Sequence, residues 1–300
     1  MSGFDNRGAS AGAIQQHYDL GNDFYAAWLG TTMAYSAARW LSDEGPDALD
    51  TAQERKLDWH LAAAKAQGAA RVLDVGCGWG AILTRLRDSA GVAEPVGITM
   101  SPAQADWIAG HEPGLQVAVT PWQDFRDPQP FDAIISIGAF EHFAGPDLDE
   151  AGKIAAYRDF FAFCAESLKP GGRVSLQTIA WLELPRAEQR ANLPEKLFPH
   201  SNLPNFNEIA AAADARFTVC YAEHEPLDYA RTLRAWIRNI RAAEPSLSHR
   251  HGPATVKHYL QNFMSFTLGF ESRRISLYRI ILEKRPGYRS FPSTRTTANS

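Results

Sequence analysis

The sequence predicts an α/β fold, in which helices cover both faces of an open parallel sheet. Apolar runs that read as strands alternate with helical patterns, and they lie at 72–75, 96–99, 117–120, 131–137 and 174–179. The run at 131–137, FDAIISI, is apolar almost throughout, as is typical of a strand buried on both faces of a parallel sheet. Strands that alternate with helices over short turns favour this architecture.

The turn after the first predicted strand is the most informative feature of the chain. Residues 71–80 read RVLDVGCGWG and carry three glycines at alternate positions, Gly76, Gly78 and Gly80. Glycine there lets the backbone approach a nucleotide-like ligand closely, because a Cβ atom would collide with it. Asp74 adds a fixed acceptor at the end of the strand.

The spacing of these glycines separates two classes of ligand. A dinucleotide site uses G-x-G-x-x-G, and its helix N-terminus receives a pyrophosphate. Here the third glycine comes one residue too early for that pattern. The form D-x-G-C-G-x-G resembles motif I of S-adenosylmethionine (SAM)-dependent methyltransferases. A tight turn without a ligand is the alternative.

Composition excludes several classes of protein. A chain of 300 residues, 45 % of them hydrophobic, can bury a full core. Cys77, Cys164 and Cys220 are too few and too scattered for a disulfide framework or a metal site, which fits a reducing cytoplasm. We find no signal region and no apolar run near the ~18 residues of a membrane span. We therefore expect a cytoplasmic protein without a transmembrane segment, a metal or a nucleic-acid partner.

Charge is distributed unevenly along the chain. Residues 216–300 carry 14 Lys or Arg and 6 Asp or Glu, whereas the whole chain has a net charge of −4. A basic C-terminal third is suited to an anionic head group of a substrate or to anionic lipid. Solvated helix faces are the alternative, which we favour over membrane contact, because four arginines recur at helical spacing: Arg231, Arg234, Arg238 and Arg241.

The pattern also predicts how the chain is divided. The expected parts are a helical N-terminal cap at 1–65, the α/β core at 66–184, helices that cover the substrate at 185–267, a closing strand at 268–285 and a loose tail at 286–300. The Pro-rich stretch 185–204 marks the start of the cover, because it interrupts the alternation of strands and helices.

Short motifs along most of the chain occur in the same order as the motifs of one enzyme family. They are HYDLGNDFY at 17–25, MAYS at 33–36, QERKL at 53–57, LDVGCGWG at 73–80, GITMS at 97–101, FDAIISIG at 131–138, FEH at 140–142, LKPGG at 168–172, YARTLRAW at 229–236 and LY at 277–278. Together they resemble the cyclopropane-fatty-acyl-phospholipid synthase family, which includes the mycolic acid cyclopropane synthases. The resemblance implies a class I, Rossmann-like SAM-dependent methyltransferase fold.

The resemblance also implies where SAM binds. Tyr35 and Ser36 would close over the methionine moiety, Thr99 and Gln104 would meet the ribose, Trp122 and Gln123 would lie near the adenine, and Asp74, Gly76, Gly78 and Gly80 would form the turn beneath it. The acidic residue that methyltransferases usually carry after the second strand is absent, so Thr99 and Gln104 are expected as neutral partners. An exposed helix position is the alternative for Gln104, and core packing is the alternative for Trp122.

Glu141 is the residue that we expect to carry the chemistry. It follows the buried strand at 131–137, at the carboxyl end where catalytic groups of open α/β sheets gather. Methylation of an alkene creates a carbocation, which needs an electrostatic partner and a base. A carboxylate in an apolar pocket serves both needs, although a position favoured by a helix dipole is the alternative. His142 is expected as a base, a substrate contact or a packed neighbour.

The chain departs from the family at a second catalytic element. In cyclopropane synthases a tyrosine, matched here by Tyr229, helps to hold a bicarbonate ion together with a cysteine, the glutamate, a histidine and a backbone group next to an isoleucine. The cysteine is replaced by Ala37 and the histidine by Gln177, whose amide still has N–H donors for an anion. We therefore expect a weakened bicarbonate site, which puts cyclopropane ring closure in doubt.

Three reactions stay open at this point. The first is C-methylation of an alkene or another carbon nucleophile on a lipid-like or isoprenoid-like acceptor. The second is cyclopropane fatty acid synthesis with a rebuilt base site, and the third is N-methylation of a small amine by Glu141 and His142. A SAM-binding or lipid-binding module without activity is opposed by the intact turn and by the presence of Glu141.

Overall fold

The computed structural model describes residues 20–189 and 202–286. Its strands are β1 (Arg71–Val75), β2 (Glu94–Thr99), β3 (Gln116–Val119), β4 (Phe131–Ile137), β5 (Leu168–Trp181), β6 (Phe217–His224) and β7 (Ile275–Lys284). Its helices are α1 (Asn22–Ala26), α2 (Leu49–Ala63), α3 (Ala81–Asp88), α4 (Pro102–His111), α5 (Glu150–Ser167), α6 (Arg186–Gln189), α7 (Phe206–Ala213), α8 (Pro226–His251) and α9 (Pro253–Glu271). Two single 3₁₀ turns occupy Pro46–Ala48 and Phe140–His142.

The strands form one seven-stranded sheet in the order β3-β2-β1-β4-β5-β7-β6. β1 to β5 are parallel, which confirms the predicted α/β core, whereas β7 runs antiparallel between β5 and β6. The strand order reverses at β1, which has β2 on one side and β4 on the other. Ligands of open α/β sheets bind at such a reversal, outside the carboxyl ends of the strands.

Two parts of the chain differ from the predicted division. β6 lies within 185–267, the segment assigned to the substrate cover, but the structure places it at the edge of the sheet. Within the N-terminal cap, residues 31–45 are not helical as expected. Two of their backbone N–H groups bond to distant side chains instead of to carbonyls one turn back: Ala38 donates to Thr232 Oγ1 at 3.0 Å and Trp40 to Asp228 Oδ1 at 3.2 Å. The expected tail at 286–300 lies almost entirely outside the described residues.

An aromatic core joins the N-terminal segment to α8 and α9. Trp28 and Trp236 are fully buried, and their ring centroids are 5.5 Å apart. Phe263 on α9 packs against both rings. A separate apolar core lies between the sheet and α5, where Phe140 stacks on Tyr157 at 4.4 Å. The two cores fix the loops that leave the carboxyl ends of the strands.

The arginines that recur along α8 mostly bond within the molecule. Arg234 pairs with Glu271, and Arg238 pairs with Asp47. Arg231 donates to backbone carbonyls of the N-terminal segment and lies over the Trp40 ring. These contacts occupy part of the basic surface for which the sequence left an anionic ligand and solvated helix faces as alternatives. In the described ranges, none of the helices combines the length and the apolar character that crossing a membrane requires.

Candidate active site

The glycine-rich turn between β1 and α3 lies at the reversal point of the sheet. Its three glycines have positive φ angles of 83° at Gly76, 56° at Gly78 and 90° at Gly80, a region that favours glycine. β2 holds the turn in place, because the N–H groups of Gly76 and Cys77 donate to the carbonyl oxygen of Ile98 at 2.9 and 3.0 Å. The backbone of the turn is therefore fixed before any ligand arrives.

Two of these glycines serve different purposes. A Cβ atom on Gly76 would lie 2.6 Å from Cβ of Ala139, so this glycine allows the loop after β4 to pack against the turn. A Cβ atom on Gly78 would meet no atom within 4 Å, so Gly78 borders open space. That space, beside an exposed stretch of backbone, fits the ligand position that the sequence predicts.

Ser36 and Tyr35 reach this region from the N-terminal segment. The buried Ser36 accepts a hydrogen bond from Lys56 Nζ at 2.9 Å. A Cβ atom on Gly138 would lie 3.9 Å from Cβ of Ser36, so the segment meets the loop after β4. Tyr35 is half-buried, and its ring packs against Trp236 at 5.3 Å.

A buried lysine and a buried aspartate lie close to Ser36 and to the glycine-rich turn: Lys56 and Asp74. Burial raises the pKa of Asp74 to about 7, and the positive charge of Lys56 opposes that rise. Burial lowers the pKa of Lys56 to about 7; Arg279 lowers it further, whereas Asp74 raises it. Each charge is thus tolerated in the interior partly because the other is present.

Thr99 and Gln104 form a pair after β2. Both are buried, and Thr99 Oγ1 donates to Gln104 Oε1 at 2.7 Å. Ser101 caps α4 and accepts from the backbone N–H of Gln104 at 3.3 Å. The alternative of an exposed helix position for Gln104 is therefore wrong. Ribose binding by this pair stays a prediction.

Trp122 lies in the apolar core, as the packing alternative predicted. Its ring contacts Phe143, Phe160 and Phe163 at centroid distances of 5.5, 5.4 and 5.6 Å. Its indole nitrogen has no hydrogen-bond partner among the described residues. Gln123 is half-buried. Contact of either residue with an adenine stays a prediction.

Glu141 is a buried carboxylic acid that lies beside the Ile179 N–H and the Thr178 hydroxyl. Only 2 % of it is exposed, and its Oε1 accepts from the backbone N–H of Ile179 at 2.6 Å. Its Oε2 has no hydrogen-bond partner among the described residues. Burial raises the pKa of Glu141 to about 7, although the Ile179 N–H favours the ionised form. Near neutral pH this carboxyl can therefore accept or donate a proton.

Gln177 lies on β5, two positions before Ile179, but both ends of its amide are bonded to residues other than Glu141. Its Oε1 accepts from Arg279 Nε at 3.0 Å and lies 3.2 Å from His60 Nε2. Its Nε2 donates to the carbonyl oxygen of Ala37 at 3.3 Å. Burial drives the pKa of His60 well below its usual range, and Lys56 and Arg279 act in the same direction. Gln177 thus belongs to a buried polar network that joins α2, β5 and β7.

Tyr229 and His142 are the other predicted catalytic residues. Tyr229 is half-buried and packs against Phe270 at 4.6 Å and against Trp236 at 6.3 Å. Because Tyr35 also contacts Trp236, the structure brings both tyrosines to one aromatic surface. His142 ends the 3₁₀ turn that holds Glu141 and is half-buried.

Four buried polar residues around this site were not predicted from the sequence: Gln53, Lys56, His60 and Arg279. Three of them share one face of α2, and the spacing of polar residues in the QERKL motif was the signal that could have identified them. Arg279 interrupts the apolar run of β7, which was a second signal. No cluster of at least three His, Cys, Asp or Glu side chains suited to a metal occurs in the part of the chain that the structure describes.

The chain matches the family model described as mycolic acid cyclopropane synthetase over residues 6–280. The cyclopropane-fatty-acyl-phospholipid synthase of Escherichia coli (strain K12) is 30% identical over 273 residues, which are 90% of this chain and 67% of that protein. Cyclopropane mycolic acid synthase 1 of Mycobacterium tuberculosis is 32% identical over 249 residues, which are 76% of this chain and 82% of that protein.

Solved structures agree with these matches. The mycolic acid cyclopropane synthase CmaA1 complexed with SAH and CTAB superimposes with a TM-score of 0.81 at 28% identity, over 93% of this chain and 100% of that chain. The cyclopropane synthase MmaA2 from Mycobacterium tuberculosis gives a TM-score of 0.82 at 27% identity, over 92% and 99%. The chain therefore belongs to the mycolic acid cyclopropane synthetase family and is a SAM-dependent enzyme with the class I methyltransferase fold.

Proposed function

We propose that this enzyme transfers the methyl group of SAM to a carbon–carbon double bond of a lipid-like acceptor, with Glu141 as its acid–base residue. One observation carries the proposal: the buried Glu141 carboxyl has Oε1 bonded to the Ile179 N–H, while Oε2 is without a partner among the described residues. Such a buried oxygen is suited to a cationic centre or to a proton.

The cofactor end of the site fits SAM. When bound, SAM supplies an electrophilic methyl group on a sulfonium sulfur. Gly78 borders open space in which its backbone can approach the cofactor, and Ser36 and Asp74 offer a hydroxyl and a carboxylate to its amino-acid part. Thr99 and Gln104 take the position of the ribose contacts.

Glu141 then acts on the acceptor. As the alkene attacks, a new C–C bond forms, the S–CH₃ bond breaks and its electron pair stays on sulfur. The neighbouring acceptor carbon becomes cationic, and a buried carboxylate stabilises that charge strongly. The Glu141 pKa of about 7 also makes its carboxylate a stronger base than an exposed glutamate, so it can take the proton that restores a neutral product.

The position of that proton decides the product. Loss of a proton from the acceptor chain leaves a methylated alkene, whereas loss from the new methyl group closes a cyclopropane ring. We propose C-methylation as the first candidate, because the residues that replace the family's base site are Ala37 and Gln177. Cyclopropane formation is the second candidate, since the curated relatives are named for it.

The residues of this chain do not fit a bicarbonate ion. Ala37 has no polar side-chain atom, and Gln177 is bonded to Arg279, His60 and the backbone of the N-terminal segment. The N–H of Ile179 is already given to Glu141. We therefore propose that Glu141 works without bicarbonate.

The acceptor that we propose is long and apolar. Buried aromatic rings of the N-terminal segment, α8 and α9 lie next to Tyr35 and Tyr229, and the related CmaA1 was solved with CTAB. We also propose an anionic head group on the acceptor and peripheral contact with a membrane. Fewer arginines of α8 are available for either role, because Arg234 and Arg238 are paired within the molecule. We propose the cytoplasm as the site of action, which the three free cysteines support.

Mass spectrometry with methyl-deuterated SAM tests the reaction. The enzyme is incubated with vesicles of unsaturated phospholipid, with free unsaturated fatty acids, with isoprenoid alcohols and with small amines. We expect a lipid-like or isoprenoid product that retains all three deuterium atoms on carbon. Retention of only two deuterium atoms on a new methylene indicates ring or exomethylene formation and reverses the order of the two candidates, and label on nitrogen or no product from any acceptor contradicts the proposal.

A further inference from the structure

The N-terminal segment that carries Ser36 is held by one face of α2. Gln53 Nε2 donates to the carbonyl oxygen of Ser36 at 2.9 Å and to that of Ala34 at 3.3 Å. Lys56, one turn further along the same face, donates from Nζ to Ser36 Oγ at 2.9 Å. The amide thus holds the backbone, and the ammonium holds the side chain.

The ammonium of Lys56 is an unusual means of holding a hydroxyl. Only 1% of Lys56 is exposed, although burying an ammonium away from water is costly unless other groups compensate it. A serine hydroxyl could have been held by a neutral amide, as Gln53 holds the neighbouring carbonyls. Burial lowers the pKa of Lys56 to about 7, so its ammonium form depends on a neighbouring negative charge.

Three other ionisable groups face Lys56 from the elements packed around it. Asp74 on β1 stabilises the positive charge of Lys56, whereas Arg279 on β7 opposes it. His60 lies one turn further along α2, and Lys56 disfavours its protonated form. Asp74 is consequently the group that compensates Lys56, and it stands directly before the glycine-rich turn.

We propose that Lys56 is a positioning residue of the cofactor site, which holds the Ser36 hydroxyl and balances the Asp74 carboxylate so that both groups face the amino-acid part of SAM in a fixed arrangement. The proposal rests on the proposed function, because it assigns Ser36 and Asp74 to the cofactor. Lys56 itself touches neither substrate. Its effect reaches the reaction through the two side chains that it holds.

Calorimetric measurement of SAM binding, together with steady-state kinetics, tests this role. The variants are Lys56→Met, Ser36→Ala and the two combined. Lys153→Met is the matched control, because Lys153 is also buried and bonds to Glu208 at 2.8 Å and to the carbonyl oxygen of Leu203 at 2.6 Å, between α5 and α7. Both lysine variants remove a buried charge, but only one removes it beside the cofactor.

We expect Lys56→Met to raise the SAM dissociation constant about tenfold, since a lost hydrogen bond to a charged group has an effect of that size. The kcat at saturating SAM stays within about twofold, because Glu141 is untouched. Ser36→Ala raises the dissociation constant by less, and the effect of the combined variant is smaller than the product of the two single effects, since both changes break the contact between Lys56 and Ser36. Lys153→Met lowers the melting temperature and leaves the SAM dissociation constant unchanged.

A SAM dissociation constant of Lys56→Met equal to that of the wild type overturns the positioning role, and so does an equal rise in Lys153→Met. Additive effects in the combined variant also contradict it. If Lys56→Met does not fold, Lys56→Gln replaces it, because this change also removes the charge beside Ser36, and a SAM dissociation constant equal to that of the wild type again overturns the role. A wild-type chain that binds no SAM overturns the proposed function itself, so the two failures are distinguishable.

Discussion

The proposed cofactor end and the proposed acceptor end of the site are built by different means. At the cofactor end, backbone groups dominate: the turn at Gly76–Gly80 is bonded to the carbonyl of Ile98, and open space lies beside Gly78. At the acceptor end, side chains from distant parts of the chain dominate, and Gln177 is held by β7 and α2. A backbone-built end restricts which residues can occupy it, whereas a side-chain-built end can exchange residues and so change the reaction.

The largest effect is expected at the acceptor end, from Glu141→Gln. The amide keeps the shape of the side chain but can neither balance a cation nor take a proton, so we expect kcat to fall about 10³-fold. The SAM dissociation constant should stay within about threefold of the wild type, because Glu141 serves the acceptor. Glu208→Gln, which alters a buried carboxylate outside the site, is the control. Unchanged kcat in Glu141→Gln would remove the catalytic role.

The cofactor end is tested by Gly78→Ala against Gly91→Ala. Both glycines have left-handed φ angles, 56° and 63°, and a Cβ on either would meet nothing within 4 Å. Both variants should therefore lose about 1 kcal/mol of stability from backbone strain. Only Gly78→Ala should also weaken SAM binding, by about thirtyfold or ~2 kcal/mol, since the methyl group would overpack the cofactor. Equal SAM affinity in the two variants would place the cofactor elsewhere.

The pH dependence separates the roles of Glu141 in catalysis and in stability. Because its pKa is about 7, we expect kcat to rise roughly tenfold between about pH 6 and about pH 8 as the carboxylate forms. A pKa raised by folding contributes stability that is present below the unfolded value and is lost as the pH rises through the folded value. The free energy of unfolding should thus fall with pH while kcat rises, and Glu141→Gln should reduce that fall. Parallel slopes of kcat and stability would contradict this assignment.

The smallest effect is expected from added bicarbonate. Since the polar groups around Ala37 and Gln177 are already bonded to one another, bicarbonate should change kcat by less than about twofold. The comparison uses bicarbonate-depleted buffer at constant pH and ionic strength. Strong stimulation would show that this end of the site rearranges to bind the anion, and would favour ring closure.

The sequence predicted the core strands because apolar runs buried on both faces stand out. β6 was missed although it holds a short apolar run at 219–222, since all but one of its residues are at least partly exposed and its conformation depends on pairing with β7. The extended stretch 31–45 was missed for a related reason, because the N–H groups of Ala38 and Trp40 bond to side chains far along the chain.

The candidate site likewise has parts that could be predicted from the sequence and parts that could not. The glycine turn could be predicted from ten consecutive residues, because positive φ angles restrict the residue type locally. Lys56 and Arg279 could not be assigned roles, since their partners come from other elements: Arg279 donates to the carbonyl of Ala38, 241 positions away. The position of Glu141 followed from the strand before it, but its bond to Ile179 did not.

β7 lies between β5 and β6 although it is the last strand in the described part of the chain. During synthesis on the ribosome, β5 and β6 are both made before β7, the strand that pairs with each of them. The sheet, and with it Arg279, is completed only when β7 arrives, so the enzyme cannot become active while most of its chain is being made. Such long-range pairing is slow to form, and it leaves β5 and β6 as open edges for chaperones to protect in the nascent chain.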